Sequence, residues 1–70
     1  MISNFQYYQD NFNLSFKYFS EFLRDGDRFK AALYLGEMSA FTLCMGRVNS
    51  DRSMKYYRAY YRCYKLFFRS

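Results

Sequence analysis

The chain has 70 residues, with 11 lysines and arginines against 6 acidic residues, a net charge of +5 and no histidine. A chain this short forms one domain with a small core, so its stability is marginal without reinforcement. Two cysteines and no histidine are too few for a zinc site or a disulfide framework. We expect Cys44 and Cys63 to be buried free thiols in a reducing compartment, with one disulfide between them as the alternative, and we expect no metal and no other cofactor.

Aromatic residues are unusually abundant, with nine tyrosines and nine phenylalanines but no tryptophan. Such side chains dominate cores and interfaces. Eighteen of them are more than a monomer of this size hides easily, which favours a homodimer or a partner-binding surface. The N-terminal sequence MISNFQYYQDNFN has neither the basic start nor the apolar stretch of a signal peptide, so we expect a cytoplasmic protein.

The first predicted helix runs from about residue 4 to residue 24. Its apolar residues recur at helical spacing: Phe5, Tyr8, Phe12, Phe16, Phe19, Phe22 and Leu23. The next segment, RDGDR, is typical of a turn. Gly26 suits a left-handed backbone conformation and Asp27 suits the N-cap of the following helix.

The second predicted helix, about residues 28 to 45, is apolar on nearly every side and ends at Gly46. This pattern predicts the central element of an all-α, three-helix bundle with short connections. Small residues spaced by four form one line along the helix: Ala32, Gly36, Ala40 and Cys44. Small side chains allow another backbone to approach closely. The line is therefore either a contact with another helix of the same chain or the seam of a dimer.

The third predicted helix, about residues 51 to 69, begins after an N-cap at Asn49, Ser50 or Asp51. Its cations are spaced by three and four residues and share an arc of about 80°. We call this set the basic ridge: Lys55, Arg58, Arg62, Lys65 and Arg69. The adjacent arc holds Met54, Phe68 and a set that we call the tyrosine row: Tyr57, Tyr61 and Tyr64. A third line lies beyond it: Tyr56, Tyr60, Cys63 and Phe67.

Charge is strongly segregated along the chain. Up to Asp51 there are five cations and six anions, whereas from Arg52 onward there are six cations and no anion. Neighbouring like charges on a helix repel one another and destabilise it. The basic ridge therefore predicts an anionic partner.

Catalysis is not expected, because histidine is absent and no serine or cysteine has a visible base partner. The composition favours a non-enzymatic binding protein, a modulator or inhibitor of the kind that phages and plasmids encode. It would bind an acidic patch on a host protein through the basic ridge and the tyrosine row, since tyrosine and arginine are enriched in interface hot spots. A nucleic acid is the alternative partner. An anionic membrane fits less well, and a solvated face without any ligand is also compatible with the pattern.

Overall fold

The structure, a computed structural model, describes residues 4–69 and contains three α-helices: α1 (Asn4–Arg24), α2 (Arg28–Val48) and α3 (Ser50–Arg69). No strand occurs within this range. The backbone of α2 packs against both α1 and α3, whereas α1 and α3 meet mainly through large side chains. This arrangement confirms the predicted all-α bundle with the second helix at its centre.

Consecutive helices run antiparallel. On the α1 side of α2, Ser15 Oγ donates a hydrogen bond to Glu37 at 3.1 Å, and the ring of Tyr8 lies near that of Phe41. On the α3 side, the Arg28 guanidinium donates to the carbonyl oxygen of Phe67 at 3.1 Å. The start of α2 therefore lies beside the end of α3, as two short connections require.

The connection between α1 and α2 forms as its sequence predicts. Gly26 has a φ of 81°, which is a left-handed backbone conformation. Glycine adopts it without strain, whereas in most other residues the Cβ would clash with the backbone. Asp27 caps α2, because its side chain accepts a hydrogen bond from the backbone N–H of Lys30 at 3.1 Å. Both expectations for this turn are confirmed.

The second connection is shorter than predicted, because α2 passes through Gly46 and ends only at Val48. The prediction that Gly46 ends the helix is wrong. Its last turn is held by tertiary packing: Met45 is fully buried, and a Cβ added at Gly46 would lie 3.6 Å from Ser53 Oγ of α3. Asn49 alone joins the two helices. Its backbone N–H donates to the carbonyl oxygen of Met45 at the end of α2, and its side chain accepts from the backbone N–H of Arg52 at the start of α3.

The core is assembled from one line of residues on each outer helix and a broader set on α2. From α1 come Phe5, Phe12 and Phe19; from α2, Ala31, Leu35, Met38 and Met45; from α3, Tyr56, Cys63 and Phe67. Phe16 shares the apolar spacing of the first helix but is 41% exposed. It lies on the edge of the α1 apolar face, where the separation between the α1 and α3 backbones leaves its ring uncovered.

Asp27→Ala is expected to lower the free energy of unfolding by about 1 kcal/mol, because the N-terminal turn of α2 loses its side-chain cap. Urea unfolding followed by far-UV circular dichroism measures the change. Asp25→Ala is the matched control, since this neighbouring carboxylate is exposed and such changes fall within about 0.5 kcal/mol. Equal effects of the two substitutions would contradict the capping role.

Candidate partner-binding surface on helix α3

The rotation of α3 about its own axis decides which of its residues can meet a partner. Tyr56, Cys63 and Phe67 are each less than 10% exposed and face α1 and α2. At 100° per residue, the basic ridge falls on the opposite side of the helix. All five of its residues are exposed, so the ridge points directly into solvent along the length of α3.

The cations of the ridge have no acidic partner within residues 4–69. The single ion pair in this range joins Lys30 and Asp27 at 4.0 Å. Arg52, the sixth cation of α3, lies outside the ridge and packs across to α1, where its guanidinium is 4.2 Å from the centroid of the Phe5 ring. The ridge is therefore a line of uncompensated positive charge, which raises the local concentration of anionic groups and speeds their association.

The tyrosine row flanks the ridge on the side of α3 turned away from α1. Tyr57, Tyr61 and Tyr64 are 49%, 45% and 41% exposed. Their rings are ordered by neighbours: Tyr61 and Tyr64 stack in parallel planes with centroids 6.0 Å apart, and Lys65 Nζ lies 4.8 Å from the Tyr61 centroid. Rings held in this way lose little conformational entropy when a partner covers them.

An apolar cleft borders the ridge on its other side and was not predicted. It lies between α1 and α3, has a volume of about 320 Å³, and is lined by Phe16, Ala59, Arg62, Cys63 and Leu66. Arg62 thus belongs both to the ridge and to the wall of this cleft. The sequence contains one indication of this cleft, because Leu66 is an apolar residue beside the basic ridge and outside the core-facing line of α3.

The line of small residues on α2 lies mostly outside the packing with α1 and α3, and only Ala40 borders a cleft between α1 and α2. Ala32, Gly36 and Ala40 are exposed and Cys44 is half-buried, and a Cβ built on Gly36 would meet nothing within 4 Å. The dimer seam, the other interpretation of this line, stays a prediction. Large exposed apolar side chains lie beside it, namely Phe29, Leu33 and Leu43, and the sequence does not predict their exposure, because a helix that is apolar all round gives no indication of which side is left uncovered.

The two cysteines occupy different environments. Both are free thiols, but only Cys63 is buried, whereas Cys44 is half-buried, contrary to expectation. Cys44 lies on the side of α2 that turns away from the core. Burial raises the pKa of Cys63 from 9.0 to about 11, since desolvation disfavours the thiolate. Within residues 4–69, no three cysteine or acidic side chains group in a way that could hold a metal ion.

At pH 8, Cys63 is expected to react about tenfold or more slowly than Cys44 with a thiol reagent such as iodoacetamide, because the thiolate is the nucleophile. Mass spectrometry of proteolytic peptides measures the two labelling rates. The same reaction in concentrated guanidinium is the control and should bring the rates together. Equal rates in the folded protein would show that Cys63 is not protected.

Comparison with protein-family models, curated proteins and solved structures gives no significant match to this chain. None of the helices in residues 4–69 has the length and apolar character needed to cross a bilayer. The interpretation of function therefore depends on the properties of the α3 surface itself.

Proposed function

We propose that the protein is a non-enzymatic binding module that attaches to an acidic patch on another protein through the basic ridge and the tyrosine row. The observation that carries the proposal is their combination on one helix face: five exposed cations with no acidic partner among residues 4–69, beside three exposed tyrosines whose rings each lie near another tyrosine ring of α3. A module of this kind modulates or inhibits its target by occupying it. Small proteins of phages and plasmids that act in the host cytoplasm are the class it fits.

The ring contacts of the tyrosine row favour a protein partner over a nucleic acid. A base that stacks on tyrosine requires a free ring face. The Tyr61 ring lies parallel to that of Tyr64 and under the Lys65 ammonium, so a base that stacked on Tyr61 would compete with these neighbours. A protein surface can instead pack against the exposed parts of the rings and accept hydrogen bonds from the tyrosine hydroxyl groups.

The expected energetics of a protein interface are uneven. A few arginines and tyrosines near the centre contribute most of the binding free energy, and truncation of any one of them to alanine weakens binding by about 2 kcal/mol or more. Arg58, Arg62 and Tyr61 lie near the middle of the surface. The cations at its ends, Lys55 and Arg69, are expected to affect mainly the association rate.

The double variant Arg58→Ala, Arg62→Ala is expected to lose the partner that the wild type captures from nuclease-treated lysate of a bacterial host. Lys17→Ala, Arg24→Ala is the matched control, because it removes the same charge from exposed positions on α1. Circular dichroism establishes that both variants are folded. The proposal fails if the folded ridge variant keeps every partner of the wild type.

A nucleic acid is the second candidate, favoured by the unpaired positive charge alone. In that case binding to single-stranded DNA should weaken steeply with salt, with a log–log slope of about 0.7 per phosphate contact. Each cation of the ridge would then contribute similarly. Fluorescence anisotropy over a salt series tests this. Tyr61→Ala is compared with the control Tyr7→Ala, because Tyr7 is a tyrosine on α1 that is 57% exposed. Capture that disappears on nuclease treatment favours this candidate over the first.

A further inference from the structure

The uncovered side of α2 carries a second surface, distinct from the basic ridge. Its core side is formed by Ala31, Leu35, Met38, Thr42 and Met45. The opposite side carries a line that we call the outer face: Phe29, Leu33, Gly36, Ala40, Leu43 and Arg47. Phe29, Leu33 and Leu43 are 75%, 55% and 66% exposed. Large apolar side chains gathered in one exposed patch are typical of an interaction site.

We propose that the outer face binds the outer face of a second copy of this chain, with the two α2 helices antiparallel. The six residues follow one another at intervals of four, three, four, three and four, a spacing that reads the same in both directions. A two-fold axis at the centre of the face therefore places Gly36 opposite Ala40 of the partner subunit and Leu33 opposite Leu43 of the partner subunit. Such self-complementarity is what a two-fold interface requires.

The chemistry at the ends of the outer face is also complementary. The same axis places Arg47 opposite Phe29 of the partner subunit, a cation and an aromatic ring that attract each other. Arg28 already makes this type of contact within the chain, with its guanidinium 4.3 Å from the Phe67 centroid. Between Phe29 and Arg47 the outer face carries no charge, because the neighbouring Glu37 turns toward α1 and accepts the Ser15 hydroxyl.

Gly36 has no role within one protomer that would explain it. Glycine in the interior of a helix is unfavourable relative to alanine, yet a Cβ at this position would meet nothing within 4 Å. A partner helix that crosses at Gly36 and Ala40 supplies the missing reason, since the absence of side chains there lets the two backbones approach closely.

The available area suits a weak dimer. Specific interfaces bury about 1,200 Å² in total at their lower limit, or about 600 Å² from each protomer. The outer face is about 28 Å long and one helix diameter, about 10–12 Å, wide, a projected area of about 300 Å² on each protomer, so even with the flanking Ala32 and Cys44 the interface lies at or below this lower limit. The basic ridge on α3 points elsewhere and does not oppose association directly. We expect a micromolar dissociation constant.

Sedimentation velocity over a micromolar concentration series tests the dimer. The wild type should dimerise, and Leu33→Glu, Leu43→Glu should sediment as a folded monomer. Leu14→Glu, Leu66→Glu is the matched control, because these leucines are 48% and 54% exposed but lie on α1 and α3. A monomeric wild type throughout the series overturns the proposal, and so does a dimer that persists in the Leu33→Glu, Leu43→Glu variant.

Gly36→Leu separates loss of the interface from loss of folding. The open space around this position accommodates a side chain in the monomer, so the helical signal should be retained. The dissociation constant of the dimer should rise tenfold or more, because the leucine holds the two backbones apart. An unchanged dissociation constant would overturn the close crossing at Gly36.

Disulfide cross-linking tests the register, in a Cys44→Ala background in which the remaining thiol, Cys63, is buried. An equimolar mixture of Gly36→Cys and Ala40→Cys proteins should form covalent heterodimers under mild oxidation, since these positions face each other. Each protein alone should cross-link poorly, because equivalent positions lie about four residues apart along the axis, beyond disulfide reach. Efficient cross-linking of each protein with itself, and not of the mixture, would overturn the antiparallel register.

Discussion

The contact on which the rest of the surface depends is the aromatic packing that sets the rotation of α3. The Tyr56 ring lies near the rings of Phe5 and Phe12 of α1, with centroids 6.1 and 5.3 Å away. Toward the C-terminal end of α3, the ring of Phe67 lies near that of Phe19. Since the helical period is 3.6 residues, this rotation alone directs every cation of the ridge outward. A slip of one residue would turn α3 by about 100° and expose the core-facing rings instead.

The same packing explains why α2 retains an uncovered apolar side. Large rings from α1 and α3 meet each other below α2 and keep the two outer helices close to its core side. The described part of the chain, residues 4–69, supplies three helices, and neither α1 nor α3 covers Phe29, Leu33 and Leu43, which stay exposed. The molecule thus has one charged aromatic surface on α3 and one apolar surface on α2. Because they lie on different helices and differ in chemistry, occupation of one leaves the other accessible.

Much of the fold could be predicted from local sequence signals, whereas the surfaces could be predicted only in part. The turn at Gly26 and Asp27 forms as its residues indicate, since both effects are local. Gly46 behaves differently, because α2 continues past it to Val48, and the burial of Met45 and the close approach of α3 near Ser53 outweigh the local preference of glycine. The orientation of the basic ridge follows from helical spacing. The exposure of Phe16 and the uncovered side of α2 depend on distances between helices, which no spacing within one helix encodes.

The proposed dimer would change how the basic ridge presents its charge. Arg28 and Gly46 mark the side of α2 that faces α3, and Tyr34 and Glu37 mark the side that faces α1. A two-fold axis perpendicular to the pair of α2 helices carries both α3 helices to the same side of the seam. Two ridges would then face one target together. For a target with two acidic patches, the second contact becomes intramolecular, so a weak single-site affinity suffices for tight attachment.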